Sequence, residues 1–456
     1  MPVKNILCVG AGYVGGPTMA VLADQCPDIQ VKVVDLMDSK IKAWNSDNLP
    51  VFEPGLLEVV QRARGRNLFF EVITPEAIAQ ADMIFISVNT PTKEYGEGAG
   101  MASDLQYWES STRTILAHAR PGTIIVEKST VPVKTAEAIS RILNYNNQAK
   151  RFPVLSNPEF LAEGTAIRDL ENPDRLLIGH ELNPEGESAA KTLVDIYARW
   201  VPRDKLLVTN VWSSELSKLS ANAFLAQRVS SINAMSAICE KTDADVGEIS
   251  RAIGMDNRIG SRFLEAGVGF GGSCFRKDIL NMVYICRSLG LDEVAHYWQQ
   301  VVELNDYQTH RFFRQMVSTM FNTVAAKKIA MFGFAFKPDT NDTRDTPALK
   351  VALKLLEEKA HLVITDPKAL GHAQQDMEGF PGVSFEPDPY QAAHNAHAIA
   401  LMTHWKEYRE LDWEKIYHSM LKPATVFDGR NWLNHKALFE IGFNVVPIGK
   451  KALLHY

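Results

Sequence analysis

The sequence of 456 residues predicts an α/β fold in which two doubly wound domains are joined by a central domain of long helices. Short apolar segments alternate with helical patterns in the first part of the chain, and the same rhythm returns in the last part. Between them lies a long region with helical spacing alone. Short buried strands that alternate with helices are typical of a parallel sheet covered on both faces. We expect domains at residues 1–212, 213–323 and 324–456.

The strands are predicted from short apolar runs that end in turn residues. In the first domain these runs are Asn5–Val9, Gln30–Val34, Met83–Val88, Thr123–Glu127, Val154–Ser156 and Arg175–Ile178. In the last domain they are Lys328–Phe332, His361–Thr365, Ala398–Met402 and Val426–Asp428, with a helix at Thr346–Glu358.

The middle of the chain has the spacing of helices. They are predicted at Ser213–Lys241, Val246–Ile253, Lys277–Leu289 and Glu293–Thr323. From Leu216 to Ile238, apolar residues recur at intervals of three and four, which gives the first of these helices an apolar face. We expect this face to pack against a second copy of the chain.

Composition excludes several classes of protein. Hydrophobic residues make up 46% and charged residues 22%, as in ordinary globular proteins. The net charge of −6 and the lack of a basic block argue against nucleic-acid binding. We expect no membrane span, since no apolar run reaches about 20 residues, and no signal peptide after Met1. Five widely spaced cysteines without a CxxC pair favour a reduced, cytoplasmic setting without a metal site.

A glycine-rich motif follows the first predicted strand and opens a helix. It consists of Gly10, Ala11, Gly12, Tyr13, Val14 and Gly15. Asp35 lies twenty residues beyond Gly15, at the end of the second strand. In this context the pattern predicts a dinucleotide site, in which the helix N-terminus binds the pyrophosphate and the acid accepts from the ribose hydroxyls. An acid there repels a 2′-phosphate, which favours NAD over NADP. A purely structural turn is the alternative.

The corresponding turn of the last domain lacks this signature. Gly333 is followed by bulky residues and by Pro338, so we expect no second dinucleotide pyrophosphate there. Lys337 and Arg344 would suit a different anionic ligand, although each could equally be a solvated surface residue.

Cys274 differs from the other four cysteines, which fall in apolar patterns or near a helix end. It follows the glycine-rich segment 267–272, and Ser273 before it predicts an N-cap, which would place Cys274 in the first turn of a helix. The helix dipole there stabilises a thiolate, and Lys277 and Asp278 lie one turn further on. These surroundings are typical of a nucleophile, with a packed loop cysteine as the alternative.

Two further clusters contain groups that can transfer protons. Lys218 and Asn222 are one helical turn apart on the long helix, with Glu215 one turn earlier. Glu159 and Glu163 follow a predicted strand, where the active-site loops of α/β folds emerge. An exposed salt-bridged helix face and solvated loop acids are the respective alternatives.

Together these motifs resemble the nucleotide-sugar 6-dehydrogenases, and among them the UDP-glucose 6-dehydrogenases of animal type. The similarity follows the family's order along nearly the whole chain. The similar stretches are GAGYVGGPT (Gly10–Thr18), AWNS with LPVFEPGL (Ala43–Leu56), NTPTK (Asn89–Lys93), EKSTVPV (Glu127–Val133), NPEFLAEGTAI (Asn157–Ile167), SSELSKLSANAFLAQR (Ser213–Arg228), GFGGSCFRKD (Gly269–Asp278), GFAFKPDTNDTR (Gly333–Arg344) and FDGRNWL (Phe427–Leu433).

The resemblance implies an NAD-dependent four-electron oxidation of UDP-glucose at C6 to UDP-glucuronate, with two NAD reduced per sugar. Cys274 would hold the half-oxidised carbon, first as a thiohemiacetal and then as a thioester. Lys218 would stabilise the oxyanion and transfer protons, and Asp278 would position a water with it. Glu159 would assist hydrolysis. The implied catalytic set is completed by Thr130, which would hold the water, and Asn222.

The resemblance also implies ligand contacts and self-association, as a dimer at least and with a hexamer left open. The cofactor residues would be the Gly10–Gly15 turn, Asp35, Lys40, Val88, Asn89, Thr90, Pro91, Thr92, Ser129, Thr130, Glu163, Lys277 and Arg344. The substrate residues would be Glu159, Phe160, Leu161, Ala162, Glu163, Lys218, Asn222, Arg258, Phe270, Gly271, Phe336, Lys337 and Arg430. Arg258 resembles an arginine that the family contributes across a subunit interface.

Three alternatives stay open at this point. The same chemistry would serve GDP-mannose or a UDP-N-acetylhexosamine. A hydroxyacid-type dehydrogenase would use a lysine acid–base, remove two electrons and form no covalent intermediate. A non-enzymatic sensor of NAD and nucleotides would bind without turnover, although the presence of Cys274, Lys218 and Asp278 argues against it.

Overall fold

The computed structural model describes residues 3–145 and 151–455. Met1, where the expectation about a signal peptide begins, lies outside them. The chain forms two compact units, of which the first contains Met1–Ala221 with Tyr284–Leu289 and the second contains Asn222–Val283 with Gly290–Tyr456. The division into domains at 1–212, 213–323 and 324–456 stays a prediction.

The first unit contains an eight-stranded sheet with the order β3-β2-β1-β4-β5-β6-β7-β8. Alternate residues of its first strand face opposite sides of the sheet, with Ile6 and Cys8 in one buried cluster and Leu7 and Val9 in another. The strands are β1 (Asn5–Val9), β2 (Gln30–Asp35), β3 (Leu68–Val72), β4 (Met83–Ile86), β5 (Ile124–Glu127), β6 (Val154–Ser156), β7 (Leu176–His180) and β8 (Leu206–Asn210). All six predicted strands are confirmed, and β3 and β8 are additions.

One pair of strands departs from the predicted parallel arrangement. β6 and β7 are antiparallel, with Ser156 opposite Gly179, and the other neighbouring strands are parallel. The expectation of a wholly parallel sheet is therefore wrong at this point. Because β7 starts at the edge where β6 ends, the chain between them begins and finishes at the carboxyl edge of β6. This connection carries the predicted site residues Glu159 to Glu163.

Helices cover this sheet, and Pro at the first helical position begins two of them. Thr74 and Asn183 are their N-caps and accept hydrogen bonds from the backbone N–H groups of Ala77 and Gly186. The helices are α1 (Gly15–Gln25), α2 (Asp38–Trp44), α3 (Leu56–Ala63), α4 (Pro75–Gln80), α5 (Gln106–His118), α6 (Thr135–Asn144), α7 (Ala166–Glu171) and α8 (Pro184–Tyr197), with a 3₁₀ turn at Arg203–Lys205.

Four helices follow, as predicted: α9 (Val211–Thr242), α10 (Val246–Gly254), α11 (Phe275–Ser288) and α12 (Asp292–Thr319). The apolar residues of α9 differ in burial along the helix. Leu219, Ala223 and Ile232 are buried within the chain. Five other apolar residues of the helix are exposed, namely Trp212, Leu216, Phe224, Met235 and Ile238. Among the described residues, no helix is both long and apolar enough to cross a membrane.

The second unit contains a six-stranded parallel sheet with the order β11-β10-β9-β12-β13-β14. This order is that of a Rossmann fold, and the first six strands of the other sheet share it. The strands are β9 (Lys328–Phe332), β10 (His361–Thr365), β11 (Val383–Phe385), β12 (Ala398–Leu401), β13 (Thr425–Asp428) and β14 (Asn444–Pro447). The helices are α13 (Pro347–Glu357), α14 (Leu370–Asp376), α15 (Pro389–Ala393), α16 (Lys406–Arg409), α17 (Trp413–Ser419) and α18 (His435–Ile441). The predicted fold class is confirmed.

Candidate active site

The glycine motif forms the turn between β1 and α1. Gly10 has φ +107°, and a Cβ there would lie 2.4 Å from the carbonyl oxygen of Ser87. A Cβ on Gly15 would lie 2.1 Å from the carbonyl oxygen of Gly10. Side chains are therefore excluded at both positions. A Cβ on Gly12 would meet no described atom within 4 Å, so this part of the turn is open to a ligand.

Asp35 ends β2 beside this turn. Its Oδ2 accepts hydrogen bonds from the backbone N–H of Ala11 (3.0 Å) and from Nζ of Lys40 (2.9 Å), and its Oδ1 accepts from the backbone N–H of Met37 (3.0 Å). Burial alone would raise the pKa of Asp35, but Lys40 and the two backbone donors outweigh it and lower the pKa. Asp35 is therefore an ionised acceptor where the dinucleotide pattern requires one.

The loops after β4 and β5 are joined by hydrogen bonds. The Thr90 hydroxyl donates to the carbonyl oxygen of Thr130 (3.0 Å), and the Ser129 hydroxyl donates to that of Val88 (2.9 Å). The structure thus brings together four predicted cofactor residues at the carboxyl edge of the sheet, where α/β folds bind ligands. The loop after β4 continues with Asn89, Pro91 and Thr92.

Glu159, Thr130 and Lys218 meet in the first unit. Thr130 donates to Oε1 of Glu159 at 3.2 Å, and Nζ of Lys218 lies 3.4 Å from the same oxygen. The side chains of Lys218 and Glu159 are 6% and 7% exposed, so their ion pair is shielded from water. Nζ of Lys218 also lies 5.5 Å from the ring centre of Phe160. Such a buried pair of titratable groups is a candidate for proton transfer.

The segment beyond Phe160 carries three more predicted residues, Leu161, Ala162 and Glu163. A buried glutamate that sequence reasoning did not single out holds the end of this segment. Oε1 of Glu53 accepts from the backbone N–H of Gly164 (2.6 Å), and its Oε2 accepts from that of Ala166 (3.0 Å). The hydroxyl of Tyr13, within the glycine motif, also donates to Glu53. Glu53 therefore links the cofactor turn to the segment that carries Glu163.

Two buried charged residues beside Glu159 were also missed, namely Glu127 and Lys128. Nζ of Lys128 donates to Oδ1 of Asn157 at 3.0 Å, and burial lowers the pKa of Lys128 to about 8. The available signal was the position of both residues at the end of an apolar strand, where a charge has to find a partner or a function.

In the second unit, Cys274 lies directly before α11 and is partly exposed, whereas the other four cysteines are buried. Its carbonyl oxygen accepts from the backbone N–H of Asp278 (2.9 Å), which makes Cys274 the N-cap residue. The prediction that Ser273 is the N-cap, with Cys274 inside the first turn, is wrong by one position. Ser273 belongs to the bend that follows Gly272, whose φ is +86°, and the helix begins at Phe275. The sulfur remains at the positive end of the helix dipole.

Asp278 and Asn222, both predicted catalytic residues, form a second buried pair. Nδ2 of Asn222 donates to Oδ2 of Asp278 at 2.6 Å, and both side chains are buried. Lys277 lies in the first turn of α11 and is half-buried. Lys218 and Asn222 are one turn apart on α9, as predicted.

Buried side chains of α12 hold the glycine-rich loop in front of Cys274. Asn305 accepts from the backbone N–H of Phe270 (2.8 Å) and donates to its carbonyl oxygen (3.0 Å). Gln308 donates to the carbonyl oxygen of Gly267 (2.6 Å), and Thr309 donates to that of Val268 (2.8 Å). The loop backbone is thus fixed by a polar row on one helix. The predicted residues Phe270 and Gly271 lie on this loop.

The remaining predicted substrate residues are in the same unit. Arg430 donates to the carbonyl oxygens of Met402 (2.7 Å), Phe336 (3.2 Å) and Gly269 (3.3 Å), and burial lowers its pKa to about 10. Nζ of Lys337 lies 5.5 Å from the ring centre of Phe336.

Two more predicted arginines of this unit pair with nearby aspartates. Arg344 pairs with Asp342 (2.7 Å). Arg258 follows α10, pairs with Asp256 (2.6 Å) and has an 89% exposed side chain.

The turn after β9 differs from the glycine motif, as expected. The backbone N–H groups of Phe334 and Ala335 donate to Oδ2 of Asp366 at 2.7 and 3.0 Å. The bond of Phe334 corresponds to that of Ala11 with Asp35 in the first unit. The difference lies at the next position, where Ala335 stands in place of Gly12 and its N–H also donates to the internal carboxylate.

Family models match three consecutive parts of the chain. The UDP-glucose/GDP-mannose dehydrogenase family is matched through its NAD binding domain at residues 4–201, its central domain at 212–307 and its UDP binding domain at 330–435. The chain belongs to this family. The expectation drawn from its motifs is thereby confirmed.

Curated relatives are similar over almost the whole length. The chain is 56% identical to UDP-glucose 6-dehydrogenase 4 of Arabidopsis thaliana, over 98% of this chain and 97% of the relative. It is 54% identical to UDP-glucose 6-dehydrogenase of Bos taurus, over 98% and 94%. A solved UDP-glucose dehydrogenase from Pyrobaculum islandicum matches with a TM-score of 0.84 and 30% identity, over 97% of this chain and 98% of that one.

Proposed function

We propose that the protein oxidises UDP-glucose at C6 to UDP-glucuronate, with two NAD reduced per sugar. Membership of the family and the similarity to plant and animal UDP-glucose 6-dehydrogenases support the reaction. The single structural observation that carries the four-electron course is Cys274, a partly exposed thiol at the N-terminus of α11. A simple alcohol dehydrogenation would need no such nucleophile.

The residues of the first unit fit NAD. The open space at Gly12 admits a pyrophosphate against the start of α1, and ionised Asp35 is positioned to accept from the ribose hydroxyls. NAD, when bound, accepts the hydride that leaves C6 in each oxidation. We assign the adenosine end to Asp35 and Lys40, and the other contacts to the loops after β4 and β5 and to Glu163, Lys277 and Arg344.

The proposed reaction removes four electrons in two steps. In the first, the C6 alcohol loses a hydride and a proton and becomes an aldehyde. The Cys274 thiolate then adds to the carbonyl carbon to form a thiohemiacetal, and loss of a second hydride and the hydroxyl proton gives a thioester. Water hydrolyses the thioester, which releases the carboxylate and returns the thiol. The covalent bond retains the aldehyde and makes the second oxidation effectively unimolecular.

The remaining predicted catalytic residues would transfer protons and stabilise charge. Lys218 would stabilise the oxyanion, since its buried ion pair with Glu159 maintains its positive charge. It would also act in proton transfer during the alcohol step, which requires that it first gives up a proton. Glu159, hydrogen-bonded to Thr130, is placed to assist hydrolysis. Asp278, oriented by Asn222, would activate the water.

The UDP-sugar would be bound by the loop before Cys274 and by the segment after β9. Phe270 and Gly271, fixed by α12, would line the sugar, while Lys337 and Arg430 supply positive charge for the diphosphate. We further assign Phe160, Leu161 and Ala162 to the substrate.

We propose that the protein self-associates through the exposed apolar residues of α9. Residues such as Phe224 and Ile238, which are 59% and 55% exposed, would then be buried against a second copy. Arg258, on an exposed loop, would reach the site of that copy. Five free thiols are consistent with the proposed location in the cytoplasm.

The test is to incubate the protein with single nucleotide sugars and excess NAD and to measure NADH formed per sugar. We expect two NADH per UDP-glucose and little turnover of GDP-mannose or UDP-N-acetylhexosamines. One NADH per sugar would favour a two-electron dehydrogenase. Bound NAD without turnover of any sugar would favour a sensor.

A further inference from the structure

Two glutamates of the first unit lie close to each other in a buried position. Glu127 ends β5 and is 1% exposed, and Glu215 of α9 is 2% exposed. Each carboxyl group affects the pKa of the other, because the two lie close together. Two buried carboxylates in this position repel each other, so a proton on one of them, donated to the other, is favourable. Neither the motifs of the sequence nor the reaction proposed above gives this proton a role.

The hydrogen bonds of Glu215 indicate which residue carries the proton. Its Oε2 accepts from the backbone N–H of Lys134 and its Oε1 accepts from that of Ala136, both at 2.7 Å. These are the free donors at the N-terminus of α6, where a negative charge is favourable. By contrast, Oε2 of Glu127 has no hydrogen-bond donor among the residues that the structure describes. Glu215 is therefore the carboxylate, and Glu127 is the acid that donates to it.

The charges around the pair lead to the same assignment. Glu159, from the segment after β6, faces Glu127, and Lys128 and Lys218 face Glu159. Lys134 belongs to the neighbouring element but its side chain is exposed. With Glu127 neutral, the negative charges of Glu159 and Glu215 are balanced by the positive charges of Lys128 and Lys218. Burial first, and then the charge of Glu215, raises the pKa of Glu127 well above its ordinary value.

Glu127 and Glu215 also hold the two ends of the loop that carries Thr130. Glu127 is the residue before segment 128–133, and Lys134 is the residue after it. Both are held by Glu215, one through the shared proton and the other through its backbone N–H. Lys134 has φ +82°, a left-handed conformation that a side chain rarely adopts without such a hold. The two ends of the segment are thus fastened to one carboxylate.

We propose that Glu127 is a positioning residue, a neutral carboxylic acid whose proton, donated to Glu215, fixes the segment 128–133 and with it Ser129 and Thr130. The inference rests on the proposed function for its catalytic consequence, since Thr130 acts there through Glu159. The protonation state itself is a property of the folded chain and is independent of any substrate.

Infrared difference spectroscopy tests the protonation state directly, because a protonated carboxyl absorbs at a higher frequency than a carboxylate. We expect the band of a buried protonated carboxyl at neutral pH in the unmodified protein. It should be lost in Glu127→Gln and retained in Glu109→Gln, which alters an exposed glutamate. A Glu127→Gln spectrum that retains the whole band would overturn the proposal.

Kinetics test the positioning role with two variants. Glu127→Gln keeps a donor for Glu215, so we expect kcat within about threefold of the original. Glu127→Met has nearly the same size but no donor, so kcat should fall about tenfold or more, because small misplacements in active sites have effects of this order. Equal loss in both variants, or full activity of Glu127→Met, would contradict the role.

Failure of the proposal for Glu127 can be distinguished from failure of the proposed function. If Glu127→Met does not fold, which circular dichroism will reveal, the infrared spectra and the Glu127→Gln kinetics still decide the question. If the unmodified protein oxidises no nucleotide sugar, the proposed function fails, but the infrared band still tests the shared proton.

Discussion

Replacing Glu53 by Ala removes the carboxylate that holds the segment after Phe160 to the cofactor turn. In the unmodified protein the backbone N–H groups of Gly164 and Ala166 donate to this carboxylate at 2.6 and 3.0 Å. The substitution leaves both groups without an acceptor. A buried donor that loses its acceptor costs about 1–3 kcal/mol, so the two together cost about 2–6 kcal/mol if water stays out. Water that enters lowers the loss towards about 2 kcal/mol, equivalent to roughly 30-fold in an opening equilibrium.

Hydrogen–deuterium exchange measured by mass spectrometry is the appropriate assay, because a chain with two units has no single unfolding free energy. Peptides that cover residues 159–171 should exchange about 30-fold faster in Glu53→Ala, with the C-terminal sheet unchanged. Tyr13→Phe is the matched control, since it removes one donor to Glu53 and leaves both backbone bonds. Unchanged exchange in Glu53→Ala, or an equal acceleration in Tyr13→Phe, would refute the reasoning.

Three further predictions concern single residues. Cys274→Ser should reduce NADH production in steady state by at least about 10³-fold while UDP-glucose still binds, as measured by calorimetry, since the covalent step is lost; normal turnover would exclude the thioester route. Asp35→Asn should weaken NAD binding by about tenfold, measured by fluorescence titration, and should reduce the difference in affinity between NAD and NADP. An unchanged dissociation constant for NAD would contradict the proposed contact of Asp35 with the ribose hydroxyls. The stability of the first unit in Glu127→Gln, relative to that in the unmodified protein, should increase as pH rises. The folded-state pKa of Glu127 is raised, so the unfolded carboxyl loses its proton first, and stability falls by up to about 1.4 kcal/mol per pH unit between the two pKa values. If hydrogen exchange of β5, corrected for the intrinsic exchange rate, depended on pH in the same way in both proteins from mildly acidic to alkaline pH, this would contradict the prediction.

Sequence reasoning succeeded where one local pattern determines the structure. The strand Asn5–Val9, the turn at Gly10 and the acid at Asp35 form a local unit whose steric demands are visible in the sequence. Helix α9 was predicted within two residues at each end, because its apolar residues recur over many turns. The edge strand β11 was missed because none of its three residues is fully buried, whereas the equally short β6 is buried throughout.

Two of the errors arose where distant parts of the chain meet, and a third is local. The antiparallel turn from β6 to β7 depends on how residues 157–175 pack, and no local pattern encodes it. The N-cap was placed at Ser273 on residue preference, but the first hydrogen bond of the helix is accepted by the carbonyl oxygen of Cys274, one residue later. Glu53 was seen only as part of a family motif, because its partners Gly164 and Ala166 lie more than 100 residues away.

The central claim, that Cys274 carries the half-oxidised sugar, is tested most directly by intact-protein mass spectrometry after rapid acid quench. With UDP-glucose and NAD, the Glu159→Gln variant, which lacks the proposed hydrolytic carboxylate, should accumulate an adduct with the mass of the UDP-sugar acyl group. Peptide mapping should place it on Cys274, and Cys274→Ser in the same background should carry none. A sample that forms NADH without any adduct, or with an adduct on another residue, would contradict the account.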